Sequence, residues 1–332
     1  MSDRILSFRQ AIGEALEQEM TRDSRVFLMG EDLRHFYGGG AFAVTPAKQF
    51  VDIFGTDRVR DTPISEAAII GAAVGAAITG MRPVAELMFV DFFGTCADQI
   101  YNEAPKIRYM FGGQAKVPLV IRTAFGSGLS LGAHHSQTLY SIFAHCPGLK
   151  VVVPSTPFDA KGLLISAIRD DDPVMYFEHK KLYDTKAHVP ENPYEIPLGK
   201  ADIKREGQDL TIVATGVMVQ RALDAAQNLM EHGIDAEVLD LRTISPLDTQ
   251  AILESVKKTA HLIIVDEDYQ TCGLGAEIAA FTADQGFDLL DAPIKRVCTA
   301  NVPIPFSPVL EEVVVPSVER IEAAAKSISP AK

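Results

Sequence analysis

A carboxylate, a pair of histidines and a serine set among glycines are the side chains of this sequence placed where chemistry can be done. In Asp61-Thr62-Pro63-Ile64-Ser65-Glu66, Pro63 breaks a strand-like run that ends near Val59. Ser65 takes an N-cap position, from which its hydroxyl can accept from the free amides of a first helical turn, and Glu66 falls in that turn. A carboxylate on a strand-to-helix turn stands where open α/β sheets hold ligands. The alternative is that it only complements the helix dipole, worth roughly 0.3 to 1 kcal/mol. His134 and His135 are adjacent in a glycine-rich run, so regular structure cannot aim both at one metal. One of them can serve as an acid or base, or be a hydrogen-bonded loop residue. Gly128-Leu129-Ser130-Leu131-Gly132 matches the GxSxG of serine hydrolases. An elbow serine sits on the strand-to-helix turn itself, however, and here Ala124 to Ser127 intervene. No GxxxxGK[ST] loop is present, and Gly273-Leu274-Gly275 lacks the third glycine of a dinucleotide fingerprint.

The elements that must position these groups alternate. Ser7 to Met20 has helical periodicity, Arg25 to Gly30 reads as a buried strand, and Arg34 to Gly40 as a glycine-rich loop. The helix opened by Glu66 carries Ala67, Gly71, Gly75 and Thr79 at i, i+4 spacing, a face expected to be buried against another backbone. A strand Pro83 to Val90, a helix Asp91 to Tyr109 and a strand Val117 to Ala124 follow, then the histidine loop, a strand Leu149 to Val153, a helix Pro157 to Arg169 and a strand Pro173 to Glu178. Continuous apolar strands alternating with helices predict a parallel sheet covered on both faces. Around Pro190, Pro193 and Pro197 the pattern lapses into a linker, after which strands and helices resume, one helix being opened by Ser245 and Pro246. The predicted boundaries are 1–188 for the first domain, 189–203 for the linker and 204–332 for a smaller α/β domain.

A chain of 332 residues, 47% hydrophobic and 23% charged, suits two such domains. A formal charge of -13 disfavours nucleic acid and anionic membranes as partners. The longest apolar stretch, Ala67 to Met81, is short and glycine-rich for a membrane span. Cys96, Cys146, Cys272 and Cys298 form no CxxC pair and read as buried thiols, so the expected compartment is the cytoplasm.

Several longer motifs then appear in order: Asp61 to Glu66; Ala133-His134-His135-Ser136-Gln137; His145-Cys146-Pro147-Gly148-Leu149-Lys150; Phe158-Asp159-Ala160-Lys161-Gly162-Leu163; and Leu241-Arg242-Thr243-Ile244-Ser245-Pro246-Leu247-Asp248. Through them the sequence resembles, over nearly its full length, the β subunit of the thiamine-diphosphate-dependent component of 2-oxo acid dehydrogenase complexes. The resemblance implies a transketolase-like α/β fold, with a parallel-sheet pyrimidine-binding domain and a smaller C-terminal α/β domain that helps dock the dihydrolipoyl acyltransferase core. It implies an α2β2 assembly in which an α subunit brings the diphosphate and Mg²⁺ site, and this chain has no Gly-Asp-Gly run of the kind an α subunit uses.

By position, Glu66 matches the family's glutamate that hydrogen-bonds the aminopyrimidine ring nitrogen and promotes the imino tautomer, and Met88 and Phe92 match residues that line the pyrimidine pocket. His135 matches the family's histidine near the substrate and the incoming lipoyl arm, and His134 stands where many relatives carry glutamine. Leu119, Ala167, Ile168, Asp170 and Asp172 match a structural potassium site of some members. Glu86 to Asn102 and Arg108 to Gly113 look closest to the acetoin-cleaving branch, ahead of pyruvate and then branched-chain 2-oxo acids. Two readings of other classes stand beside this one. One is a serine hydrolase using Ser130; the other is a scaffold assembled through the small-residue helix.

Overall fold

In the computed structural model, residues 4–34 and 47–329 are described. Of the loop expected from Arg34 onward, residues 35–40 lie outside them. The chain divides into two units, Met1–Phe125 with Ile142–Leu198, and Gly126–Ser141 with Gly199–Lys332.

In the first unit the strands Lys150–Val152, Val174–His179, Val120–Phe125, Arg82–Phe89, Val26–Gly30 and Val59–Asp61 lie side by side in that order, every pair parallel. Val26–Gly30, Val120–Phe125 and Val174–His179 are buried at every position, which is why they read as runs without alternation. From Val26–Gly30 the chain goes to one side, into Val59–Asp61, and then returns to Arg82–Phe89 on the other. The direction of winding therefore reverses between Val26–Gly30 and Arg82–Phe89, and the C-terminal ends of those strands flank the crevice where such sheets bind ligands.

The helix Pro157–Arg169 has the predicted limits, set by Thr156, whose Oγ1 accepts from Asp159 N at 3.1 Å, and by Pro157 in the first turn. The predicted helix from Asp91 to Tyr109 is instead a 3₁₀ stretch Val90–Cys96, a π stretch Gln99–Glu103 and an α-helix Ala104–Met110. Pro105 supplies the reason for the π stretch, because it has no amide to give the carbonyl of Tyr101. Cys146 Sγ donates to that oxygen instead, at 3.5 Å.

The small-residue helix, Glu66–Ile78, buries Ile69, Ile70, Ala73, Val74 and Ala77. The face of Ala67, Gly71, Gly75 and Thr79 is not buried within the chain itself, and a Cβ at Gly75 would meet nothing within 4 Å. The proline-rich segment is held down: Lys161 Nζ donates to Pro190 O at 2.6 Å, Glu191 O at 2.9 Å and Glu14 Oε1 at 2.5 Å. Tyr194 stacks on Phe158 with 4.6 Å between ring centres.

In the second unit Lys295–Thr299, Leu262–Tyr269, Leu210–Ala214 and Ala236–Asp240 are parallel neighbours in that order, and Asp202–Arg205 joins the edge antiparallel. Ser245 and Pro246 do not open a helix. The helix is Thr249–Thr259, and its cap is Asp248, whose carboxylate accepts from Ala251 N at 3.2 Å. The helices Pro308–Val314 and Val318–Ile328 escaped prediction; the second packs Ile321, Ala325 and Ile328 into the core of Leu210, Ala222 and Val238. Cys96, Cys146 and Cys298 are buried as expected, whereas Cys272 is exposed.

Candidate active site

Glu66 is the first residue of its helix, and Ser65 occupies the N-cap position without capping: its Oγ donates to Pro63 O at 3.2 Å and accepts no amide. No serine hydroxyl takes up the free amides of that first turn. The half-buried carboxylate makes no hydrogen bond or ion pair among the described residues. Its neighbours feel its charge. Burial first, then Glu66 and Asp32, push the carboxyl of Glu31 up, at the end of Val26–Gly30. Burial first, then Glu66, push the Cys96 thiol up to about 12.

The helix of Glu66 packs on the strand Arg82–Phe89 and the 3₁₀ stretch after it, which carry Met88 and Phe92. Both side chains are half-buried. Phe92 meets Phe89 edge to face at 5.7 Å, and the ammonium of buried Lys180 lies 5.5 Å from the centre of the Phe89 ring. Met88 shares a small, partly open pocket with Glu86, Arg122, Thr123, Ala124, Glu178 and Tyr183. There Arg122 Nε donates to Glu178 Oε1 at 2.6 Å, Arg122 Nη2 to Glu178 Oε2 at 3.1 Å, and Tyr183 Oη to Glu178 Oε2 at 3.0 Å. Glu86 Oε2 accepts no hydrogen bond and lies 3.5 Å from Arg122 Nη1. Burial pushes the Glu86 carboxyl up to about 7, against the pull of the Arg122 guanidinium. Burial also works against the charge of Arg122, but Glu178 and Glu86 outweigh it and hold the guanidinium above its ordinary value.

These charges were missed by sequence reasoning, although a signal was there. Glu86, Arg122 and Glu178 each interrupt a strand otherwise apolar enough to be buried on both faces, and a charge in such a strand needs a partner.

His135 stands on the loop 126–141, which belongs to the second unit, whereas Glu66, Met88 and Phe92 belong to the first. His135 N donates to Gly132 O at 3.3 Å; His134 is exposed. Ser130 has a positive φ of 54°, and its Oγ donates to Glu311 Oε2 at 3.3 Å. No helix begins at Ser130, the next being Tyr140–Ala144, and no histidine is hydrogen-bonded to its hydroxyl among the described residues. A serine nucleophile needs such a base, so the geometry gives the hydrolase reading no support.

Leu119, Ala167, Ile168, Asp170 and Asp172 come together where the helix Pro157–Arg169 ends. Arg82 Nη1 donates to Ile168 O at 2.9 Å and to Asp170 O at 2.8 Å. Leu119 O accepts from Val174 N at 2.9 Å, and Ala167 O from Asp170 N at 3.3 Å. The Asp170 carboxylate is held by Lys150 at 2.8 and 2.6 Å, and that of Asp172 by Arg108. Side-chain oxygen here is taken by the chain's own cations. What the corner offers an added ion is the second lone pair of its main-chain carbonyls, and no cluster of three or more His, Cys, Asp or Glu able to hold a metal occurs among the described residues.

Comparison with known proteins places this architecture. Residues 5–186 match the transketolase pyrimidine binding domain and residues 199–321 the transketolase C-terminal domain. The chain is 54% identical over 328 residues to the acetoin:2,6-dichlorophenolindophenol oxidoreductase subunit beta of Bacillus subtilis, covering 96% of this chain and 95% of that protein. The protein of the same name from Cupriavidus necator is 52% identical, over 97% of each. The pyruvate dehydrogenase E1 component subunit beta of Rickettsia felis is 46% identical, over 97% of this chain and 98% of that one.

The chain belongs to this transketolase-like family of dehydrogenase β subunits.

A solved structure described as a split gene transketolase, inactive beta4 tetramer, shares the fold with a TM-score of 0.79, covering 98% of this β subunit and 99% of that chain at 24% identity. The family is thiamine diphosphate dependent. The residues that this β subunit brings to one edge fit the pyrimidine end of that cofactor: an unpartnered carboxylate for a polar ring edge, with Met88 and Phe92 as apolar surface for the ring. No helix among the described residues is long and apolar enough to cross a membrane.

Proposed function

We propose that this β subunit, paired with an α subunit in an α2β2 assembly, cleaves acetoin and passes the acetyl group to lipoamide of a dihydrolipoyl acyltransferase core, with pyruvate as the second candidate substrate and branched-chain 2-oxo acids the third. The observation that carries the choice of acetoin is the identity of 54% and 52% to two acetoin oxidoreductase β subunits, against 46% to a pyruvate dehydrogenase one. On this reading residues 1–188 form the pyrimidine-binding domain, 189–203 the linker and 204–332 the C-terminal domain; the first family match, 5–186, supports the first of these, and the second match begins at 199, within that linker. Four free cysteines suit the cytoplasm.

Bound thiamine diphosphate supplies an acidic ring carbon that, once deprotonated, adds to a carbonyl group; the α subunit holds its diphosphate through Mg²⁺. Glu66 would hold the aminopyrimidine ring of that group through a proton on its carboxyl oxygen. A strand end and a helix N-terminus position it, and no donor among the described residues competes for the carboxylate. Met88 and Phe92 would offer apolar surface to the ring and keep water from that proton, and a drier site strengthens such a hydrogen bond. His135 exchanges a proton with the substrate oxygen. A potassium ion, where one is used, would be held by the carbonyl oxygens of Leu119, Ala167, Ile168 and Asp170, beside Asp172.

The test is turnover of acetoin and of pyruvate by the reconstituted α and β subunits with a dye acceptor. Acetoin should give the higher kcat/KM; the reverse order would move the assignment to pyruvate.

Two further outcomes are expected of the same assembly. His135→Ala should lower turnover and transfer to lipoamide while sparing cofactor affinity, because its loop is separate from Met88 and Phe92. Calorimetric titration checks this, and loss of thiamine diphosphate binding with the fold intact would count against it. Gly75→Leu should leave the chain's own fold intact, because nothing lies within 4 Å of a Cβ there. It should weaken association with the α subunit by roughly 1 to 3 kcal/mol through overpacking. Unchanged assembly in analytical ultracentrifugation would remove that helix face from the interface.

A further inference from the structure

The strand Leu262–Tyr269 carries three carboxylates in succession, Asp266, Glu267 and Asp268, only 1%, 5% and 6% exposed. Glu311, on the helix Pro308–Val314, is 3% exposed. Buried anions need donors, and the loop 126–141 supplies them to all four. Ser127 donates from N at 2.8 Å and from Oγ at 2.6 Å to Glu267 Oε1. Gly128 N donates to Glu311 Oε1 at 2.6 Å, and Ser130 donates to Glu311 Oε2 from N at 3.0 Å and Oγ at 3.3 Å. At the far end of the loop, Tyr140 Oη donates to Asp266 and Ser141 Oγ to Asp268 at 2.5 Å. Asp266 also accepts from Gly275 N at 2.8 Å.

Among the described residues Asp266, Asp268 and Glu311 make no ion pair, so neutral amides and hydroxyls are what balance their charge. Moving the loop by one bond length would strand negative charge in the interior, a far larger cost than a lost surface contact. The middle of the loop is closed as well: a Cβ on Gly132 would come within 3.0 Å of the Phe306 ring. His134 and His135 thus lie on a short span clamped at 127–130 and at 140–141.

We propose that Glu267 and Glu311 are positioning residues for His135, holding its loop in one geometry by accepting hydrogen bonds from Ser127, Gly128 and Ser130. This rests on the assignment of His135 made above. Burial, and next the Asp266 carboxylate, push Asp268 up to about 7, so the aspartate end changes charge near neutrality and the glutamate end gives the cleaner test.

The experiment uses the assembled enzyme with Glu311→Gln and, separately, Glu267→Gln. In Glu311→Gln an amide NH₂ replaces one acceptor and faces an N–H. Amide hydrogen exchange over 126–141, read by mass spectrometry, should quicken about tenfold, and acetyl transfer to lipoamide should slow about tenfold, the scale of one charge-assisted hydrogen bond. Thiamine diphosphate affinity should not change. Added to His135→Ala, either substitution should cost less than about twofold more, since a residue acting through His135 has nothing left to position. Losses that multiply in the double variant would show an independent role and overturn the proposal; so would unchanged exchange of the loop. Should a glutamine variant fail to fold, Ser127→Ala and Ser130→Ala remove one hydroxyl donor from the same carboxylates and allow the same comparison. If His135→Ala alone leaves transfer unaffected, the assignment of His135 fails and the positioning role with it, while the exchange data still decide whether these carboxylates clamp the loop.

Discussion

Glu66→Gln should leave the β subunit folded and assembled and lower turnover by roughly two decades or more, the scale of losing a positioned acid or base. The carboxylate contributes little to the fold. It makes no hydrogen bond or ion pair among the described residues, and its helix is anchored by Ile69, Ile70, Ala73, Val74 and Ala77 instead. Its contribution to the helix dipole is worth at most about 1 kcal/mol. Glutamine keeps the size and the hydrogen-bonding capacity but cannot hold or release the shared proton. Hydrogen–deuterium exchange at the thiazolium carbon in the assembled enzyme isolates the step, because it needs no substrate. Exchange as fast in Glu66→Gln as in the parent would assign that role to another group, and the nearby Glu31 would be the next residue to replace.

Arg122→Met should cost about 3 to 5 kcal/mol of stability, the usual penalty for removing one partner of a buried ion pair. For a protein of this size that lowers the unfolding midpoint by roughly 4 to 7 °C. The substitution keeps much of the volume and removes the cation between Glu178, at 2.6 and 3.1 Å, and Glu86, at 3.5 Å. Two buried carboxyls then repel one another with no counter-charge. The sign of the pH dependence follows. Carboxyls whose folded pKa is raised destabilise the fold progressively as pH rises through that value and do so least in acid, where they are protonated. Glu86, already pushed up to about 7 with Arg122 present, shifts further without it. The deficit should therefore be smaller at pH 5 than at pH 8, measured as denaturation midpoints of the parent and the variant side by side. Equal deficits at both values would assign the loss to packing rather than charge.

Local pattern was enough for the parallel sheets, because a strand covered on both faces has no polar side and its sequence says so. It also placed Glu66 in a first turn, because Pro63 ends the strand before it, and it bounded Pro157–Arg169, where a threonine cap and a proline act within four residues. The family was legible for a related reason: its motifs are contiguous runs whose order survives in one dimension. The cavity beside Met88 was not. Glu86 stands opposite Arg122 across one strand pair, and Glu178 follows Tyr176, which stands opposite Arg122 across the next. Strand order is a property of the folded sheet, so no spacing along the chain reveals that one guanidinium serves both carboxylates. The same holds for Glu311, which accepts from Gly128 and Ser130 from more than 180 positions away. The open glycine face of Glu66–Ile78 is the opposite case. Its small side chains signalled close approach, yet within this chain nothing approaches Gly75. Side-chain type and spacing are written locally and follow from single helices and strands, whereas the neutralisation of buried charge and the choice of which face is covered depend on distant segments, and those were decided only when the chain folded.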